Sequence, residues 1–218
     1  MEATETLPRV RRDPDGARRR ILAAAKQEFA GHGFEGARVD RIAASAEINK
    51  AMLYYYFGDK EALYLAVLEE TYEHIRAAER TLELESLDPP AAIARLVQFT
   101  WQYFLDNPEF LALLNTENQQ RARHLRRSAR IEKMHAPFVG MLADVLRRGE
   151  ASGAFRSGVD AVQLYISIAG LSYFYLSNRA TLSVIFGRDL LGVAARRERL
   201  AHMQELVLTG LTSATLAP

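Results

Sequence analysis

The chain has 218 residues, a formal net charge of +1, 49% apolar and 25% charged side chains, and no cysteine. The length suits one large domain or two smaller ones, and the missing cysteines exclude a disulfide framework and thiol catalysis. A charge this close to neutral gives no bulk nucleic-acid signature.

Splitting the charge changes little. Residues 1–60 hold 11 Lys and Arg against 9 Asp and Glu, and residues 61–218 hold 17 against 18. The longest apolar run, residues 161–176, is interrupted by Gln163, Ser167 and Ser172. It falls short of the roughly 20 residues a membrane span needs. With no charged, apolar and small leader at the start, a cytoplasmic protein is expected.

Residues 1–14, with Pro8, Pro14, Arg9, Arg11 and Arg12, lack apolar periodicity and read as a flexible basic tail. Arg18, Arg19 and Arg20 carry the basic character into the first helix, either as a solvated run or as non-specific phosphate attraction. That helix is expected over about Asp15 to His32, with Ile21, Leu22, Ala25 and Phe29 as its core stripe and Gly31 and Gly33 ending it.

Arg38 to Lys60 is the most informative stretch. Val39, Ile42, Ala43 and Ala46 recur at i, i+3, i+4 and i+7, one face of a short helix. Glu47-Ile48-Asn49 forms a tight break, and Asn49 is a good N-cap for a second short helix over Lys50 to Phe57. Leu53 and Phe57 anchor that helix, leaving Lys50, Ala51, Tyr54 and Tyr55 on the other side. Two short helices joined by a three- to four-residue turn make the unit of helix-turn-helix DNA readers. Tyrosine hydroxyls and a lysine can donate to phosphates while the rings lie on sugar or thymine methyl. Gly58-Asp59 ends the helix, and Asp59 can cap a long helix starting at Lys60, whose free N–H groups favour a phosphate.

The runs I-A-x-x-A (Ile42 to Ala46), N-K-A-x-L-Y-Y-Y-F (Asn49 to Phe57) and x-D-K-E-x-L (Gly58 to Leu63) resemble the tetracycline-repressor (TetR) family of bacterial regulators. The resemblance implies an all-α chain: a three-helix helix-turn-helix DNA-binding domain followed by an α-helical ligand-binding and dimerisation bundle. The domains would be residues 15–60 and 61–218. It implies DNA contacts at Arg38, Val39, Asn49, Lys50, Ala51, Tyr54, Tyr55, Tyr56 and Lys60. The chain departs from the family pattern twice, with Glu47 where Gly is usual in the turn and Arg38 where Thr or Ser is common. Glu47 must take up the backbone strain that Gly would relieve, and it brings a negative charge near DNA.

The helix from Lys60 should reach about Leu84 and join the two halves as a coupling rod. Asp88-Pro89-Pro90 stops one helix and starts the next. Ile93, Leu96, Val97, Trp101 and Phe104 form its stripe. A short helix holds Phe110, Leu111 and Leu114, and a longer one over Ser128 to Ala151 contains Pro137, which should kink it. Asp160 should cap a helix to about Thr181, followed by a loop with Gly187 and a last helix to about Ser213. The helix from Asp160 is apolar on nearly every side and so should be covered all round. A dimer interface is expected at Leu164, Ile168, Leu200, Met203, Val207 and Gly210, since the resembled family pairs its final two helices into a four-helix bundle. Homodimeric heads would read half-sites about one DNA turn apart.

The resemblance also implies a small-molecule cavity in the second domain, for which Trp101, Phe104, Asn115, Glu117, Asn118, Met134, His135, Phe138, Tyr165, Tyr173 and Asn178 are candidates. Plain core packing is the competing account of each aromatic. Arg121, Arg123, Arg126, Arg127, Arg130 and Lys133, with His124 among them, form either a solvated face or an anion site. An acidic or acyl-type effector is therefore the expectation. No metal-ligand spacing, nucleophile elbow or phosphate-cradling loop is present, so no cofactor, metal or catalytic residue is expected. The alternative is an all-helical small-molecule-binding protein or enzyme without DNA-binding activity.

Overall fold

The structure is a computed structural model and describes residues 14–212. All regular elements among these residues are helical. Except for Pro14, which opens the first helix, the expected basic tail lies outside the described residues, as does Ser213. The contacts divide the chain into two compact units, one ending at Val67 and one beginning at Leu68.

The first unit contains α1 (Pro14–Gly36), α2 (Val39–Ser45), α3 (Lys50–Phe57) and the first turns of α4 (Lys60–Arg80). Ile21, Leu22, Ala25 and Phe29 of α1 are buried with Ile42 and Ala43 of α2, Leu53 of α3, and Leu63 and Tyr64 of α4. At Gly33 the backbone takes φ 66° and ψ 177°, a conformation that a side chain would resist. Beyond it Phe34 packs 5.1 Å from Tyr64, whose ring also meets Phe29 edge-on at 4.8 Å. The Glu28 carboxylate ties α1 to α2, accepting from the Arg38 backbone N–H at 2.9 Å and from Arg41 Nε at 2.7 Å. Burial works against its charge, but these donors hold it below the usual carboxylate range.

In the second unit α5 (Pro89–Asp106) is central, packing against α7 (Ala129–Ala151), α8 (Ala161–Ser177) and α10 (Val193–Thr212). α6 (Pro108–Gln119), α9 (Arg179–Phe186) and the part of α4 from Leu68 onward also belong to it. Asp88 caps α5 by accepting from the Ala91 N–H at 3.2 Å, and Pro89 fills the first helical position. Ile93, Leu96, Val97, Trp101 and Phe104 are all buried, as their spacing requires. The Phe155 ring lies directly on Gly149, where an added Cβ would sit 1.9 Å from a ring carbon.

Three helix ends differ from expectation. α1 runs to Gly36 and not to His32, with Gly33 as the one non-helical residue inside it. α4 stops at Arg80 and not near Leu84, because Glu83 adopts a left-handed conformation (φ 49°) and residues 84–86 form a 3-10 turn. Arg148 of α7 fixes that turn, donating to the carbonyls of Leu84 at 2.9 Å and Leu87 at 2.7 Å. The helix expected from Asp160 to Thr181 is two helices. Asn178 caps the C-terminus of α8 with its side-chain amide on the Phe174 carbonyl at 2.9 Å, and α9 starts at the next residue. Gly187, at φ 61°, closes α9. α7 continues as one helix through Pro137.

Candidate nucleic-acid interface and effector site

The turn between α2 and α3 is built from the backbone outward. Glu47 takes φ 54°, as the missing glycine demands, and its N–H donates to the Ala44 carbonyl at 3.1 Å. Arg20 Nε reaches the Ala46 carbonyl at 3.4 Å. Asn49 Oδ1 then accepts from the Met52 N–H at 2.8 Å, so the cap that starts α3 is made. With Leu53 and Phe57 buried below, Tyr55 is 80% exposed and Tyr54 38% exposed on the outer face. Lys50 and Ala51 are also exposed, and Tyr56 and Val39 are half-buried. Arg38 is exposed at the start of α2, where its side chain makes no capping bond.

The two lysines are not idle. Lys50 Nζ lies 2.9 Å from Asp40 of α2, and that hydrogen bond raises its pKa. Lys60 Nζ sits 4.8 Å above the Phe34 ring and 3.4 Å from the Glu35 carbonyl. Asp59 accepts from the Ala62 N–H at 2.7 Å, capping α4 beside Lys60. The face therefore combines exposed phenols, two cations and a helix N-terminus, a chemistry suited to phosphate and base edges.

The second unit encloses a polar cluster around Arg76 of α4, which is 2% exposed. Its guanidinium lies 4.5 Å from the Phe138 ring centre and 5.3 Å from that of Tyr165. Nη2 donates to the Tyr165 hydroxyl at 2.8 Å and lies 2.9 Å from Glu79, off the line of a hydrogen bond. Burial pushes the Glu79 carboxyl up to about 8, with Arg76 pulling the other way. Burial likewise pushes Tyr72 up to about 12, and it lowers His135, whose ring is 5.5 Å from that of Tyr72. The void between α4 and α6 beside Tyr72 is about 10 Å³, room for one water.

Of the cavity candidates, His135, Phe138 and Tyr165 converge on this cluster, and Met134 is half-buried on the same helix as His135. Trp101 and Phe104 are packed in the apolar core against Tyr175 and Phe110. Asn115 accepts from the Tyr173 hydroxyl, Asn118 is exposed, and Asn178 is spent on the α8 cap. Glu117 is buried, accepting from His124 Nδ1 at 2.8 Å and from the His124 and Leu125 backbone N–H groups. Arg121, Arg123, Arg126, Arg127, Arg130 and Lys133 lie on an exposed face, with Arg130 paired to Glu73 at 2.6 Å.

Residues 21–67 match the family model described as bacterial regulatory proteins, tetR family, and residues 89–207 match the tetracyclin repressor-like C-terminal domain. The chain belongs to the TetR family. Its family and its repressor relatives make it a DNA-binding regulator of transcription and not an enzyme. Among curated relatives of this TetR-family chain, the transcriptional repressor NicS of Pseudomonas putida is 40% identical over 197 residues, 90% of this chain and 93% of the relative. The transcriptional repressor SCO4008 of Streptomyces coelicolor is 35% identical over 146 residues, 66% of this chain and 71% of the relative. Among solved structures, the putative transcriptional regulator SCO4942 from Streptomyces coelicolor superposes with a TM-score of 0.65 at 26% identity, covering 87% of this chain and 97% of that one. The regulator FadR from Bacillus subtilis, in complex with stearoyl-CoA, gives 0.66 at 19% identity, over 88% of this chain and 98% of that one, and shares the fold.

In this TetR-family chain most of the residues expected at the dimer interface are buried within the protomer. Leu164, Ile168, Met203 and Val207 are buried in the protomer's own core, and Leu164 and Val207 also line a groove between α8 and α10. Leu200 is half-buried and Gly210 is exposed. The large apolar side chains left exposed on these helices are Val162 (44%), Ile166 (55%) and Phe174 (59%) on α8, and Val193 (69%) and Leu206 (49%) on α10. Their signal was legible: 162, 166 and 174 fall at i, i+4 and i+12, a second stripe on a helix apolar all round. The groove between α8 and α10, of about 530 Å³, is also lined by Arg156, Gln163, Leu206 and Gly210 among others. Arg76, Tyr72 and Glu79 were missed for another reason, since two of them look like ordinary surface charges. The 3- and 4-residue steps through Leu68, Tyr72, Ile75, Glu79 and Leu82 do mark Glu79 as inward-facing.

Proposed function

We propose that the chain is a homodimeric repressor that reads a palindromic operator with α3 in the major groove and is released by a small effector bound in the second unit. Lys50, Ala51, Tyr54 and Tyr55 take base edges and adjacent phosphates. Arg38, Val39, Asn49, Tyr56 and Lys60 position the head on the flanking backbone. The reading rests above all on Tyr55, a large ring left 80% exposed on a helix whose other face is buried. With Tyr54 (38%) and Met52 (39%) it forms a contiguous exposed apolar patch, the kind of surface that marks an interaction site.

The first domain then corresponds to residues 15–60 and the effector and dimer domain to residues 61–218, with α4 as the covalent link. The dimer forms through the exposed stripe on α8 with Leu206 and Gly210 of α10, which supports twin heads spaced by about one DNA turn. No helix among the described residues is long and apolar enough to cross a membrane, which accords with action in the cytoplasm.

A gel-shift series on the DNA upstream of the chain's own coding sequence tests the contact set. Tyr55→Ala and Lys50→Ala should each weaken specific binding by about 1–3 kcal/mol. Lys50→Ala should also reduce the slope of affinity against salt by about one, as a lost phosphate contact does. Unchanged affinity in both variants would rule out α3 as the reading element.

A further inference from the structure

Arg76 poses a physical problem that the fold does not solve. It is 2% exposed, and its Nε and Nη1 have no hydrogen-bond partner. A buried cation with unmet donors is among the most costly features an interior can retain. Its near neighbour meets only part of this need. Glu79 Oε1 lies 2.9 Å from Nη2 but off the line of a hydrogen bond, and burial raises the carboxyl's pKa against the pull of Arg76. Around the guanidinium stand this carboxyl, a phenol and two aromatic rings, and Nε and Nη1 still lack an acceptor.

The directions of the unmet donors define what would complete the cluster. Nη2 already serves the Tyr165 hydroxyl. A carboxylate laid along either edge of the planar fork would pair Nη2 with one of the two free nitrogens, the bidentate geometry guanidinium favours. The groups around the guanidinium are rings: Phe138 and Tyr165 flank it, and Tyr72 and His135 lie one helical turn away along α4 and α7. An apolar or flat body attached to the carboxylate would find its surface there.

We propose that Arg76 is the anion-recognising group of the effector site and that the effector is a small organic acid bound as its carboxylate. This inference rests on the second unit being the effector domain. It places the anion at Arg76 and away from the exposed Arg121–Lys133 face, whose side chains are solvated. Arg76 is 2% exposed, so binding requires the side chains that cover it to yield. The acid supplies acceptors for Nε and Nη1 that the fold itself lacks, and that difference between the covered and the opened site is what lets a ligand shift the equilibrium.

The experiment uses the full chain and three acids of different bodies: benzoate, phenylacetate and octanoate, each against its uncharged amide. Thermal shift and calorimetric titration at pH 7 should show binding of at least one acid, with the matching amide weaker by at least tenfold. Arg76→Met, an apolar replacement of similar length, should lose that binding by at least tenfold, whereas Arg126→Gln on the exposed face should retain it. Should Arg76→Met fail to fold, the acid-against-amide ratio in the unaltered chain carries the same test. Equal binding of acid and amide, full retention in a folded Arg76→Met chain, or no binding of any acid would overturn the proposal. Operator binding of the ligand-free protein is measured alongside. If it is intact while no acid binds, the assignment of Arg76 fails and the regulator reading stands; if it is absent, the regulator reading itself has failed.

Discussion

Glu79 gives the sharpest quantitative test of the interior. Its carboxyl is raised from the ordinary 4.5 to about 8 when the chain folds, with burial as the cause. Between those two values the folded protein holds a proton that the unfolded chain has released. The unfolded state therefore binds fewer protons, and stability must fall as pH rises through the interval. At roughly 1.4 kcal/mol per pH unit the ceiling is about 5 kcal/mol. Between pH 6.5 and 8.5 alone, the fall expected from a single group titrating near 8 is about 2 kcal/mol. Over this window His135 opposes the fall by at most about 0.4 kcal/mol, the same in both chains. Burial lowers its pKa below 6.5, so the folded state binds fewer protons there and its contribution rises with pH until the unfolded ring has lost its proton. Urea unfolding of the full chain at fixed concentration across pH 6.5 to 8.5 reads the effect directly. Glu79→Gln, which keeps the shape and cannot ionise, should lie at least 1 kcal/mol flatter over the same range. Parallel profiles for the two chains would mean that Glu79 is ionised in the fold, and the uncompensated charge on Arg76 would vanish with it.

Three further outcomes follow from local geometry. Gly149→Ala should destabilise the second unit by about 1–3 kcal/mol in chemical denaturation, since the new Cβ meets the Phe155 ring at 1.9 Å; adding Phe155→Leu should recover part of the loss. Asn49→Ala should cost about 1 kcal/mol by removing the cap on the Met52 N–H, with a loss of operator affinity that osmolyte partly restores if the helix is merely frayed. Glu47→Gly should stabilise the chain by about 0.5–1 kcal/mol, the relief of a left-handed side chain less the added freedom of the unfolded state. It should also tighten DNA binding by removing a negative charge, so a weaker complex would place Glu47 in a favourable contact.

Where one physical rule governed a segment, the sequence was enough. α3 was legible because a cap residue, an i, i+4 apolar anchor and a glycine stop agree on its limits, and Asn49, Leu53, Phe57 and Gly58 do these jobs in the structure. α4 was read too long because its apolar spacing continues through Leu82 and Leu84. Helix propensity cannot register the two carbonyl bonds from Arg148, 64 and 61 positions away, that fix the 84–87 turn. The same holds for the junction of α8 and α9. Asn178 is a tolerable helix residue, and only its side-chain bond to the Phe174 carbonyl turns it into a terminus.

The buried cluster shows the limit in its strongest form. Arg76 and Glu79 stand three residues apart, a spacing that on an exposed helix reads as a modest surface ion pair. What decides between that and a buried pair is the surface covering them, here Phe138 from α7 and Tyr165 from α8, more than 60 residues downstream. Once covered, the pair cannot behave as two surface charges. Desolvation favours the protonated carboxyl over the ion and leaves the guanidinium, which cannot lose its charge, without an equal partner. An interior that evolved for stability alone would tend to replace such a pair with apolar side chains of similar volume, at no loss. The unmet Nε and Nη1 of Arg76 are the physical reason to look for a further acceptor in a ligand.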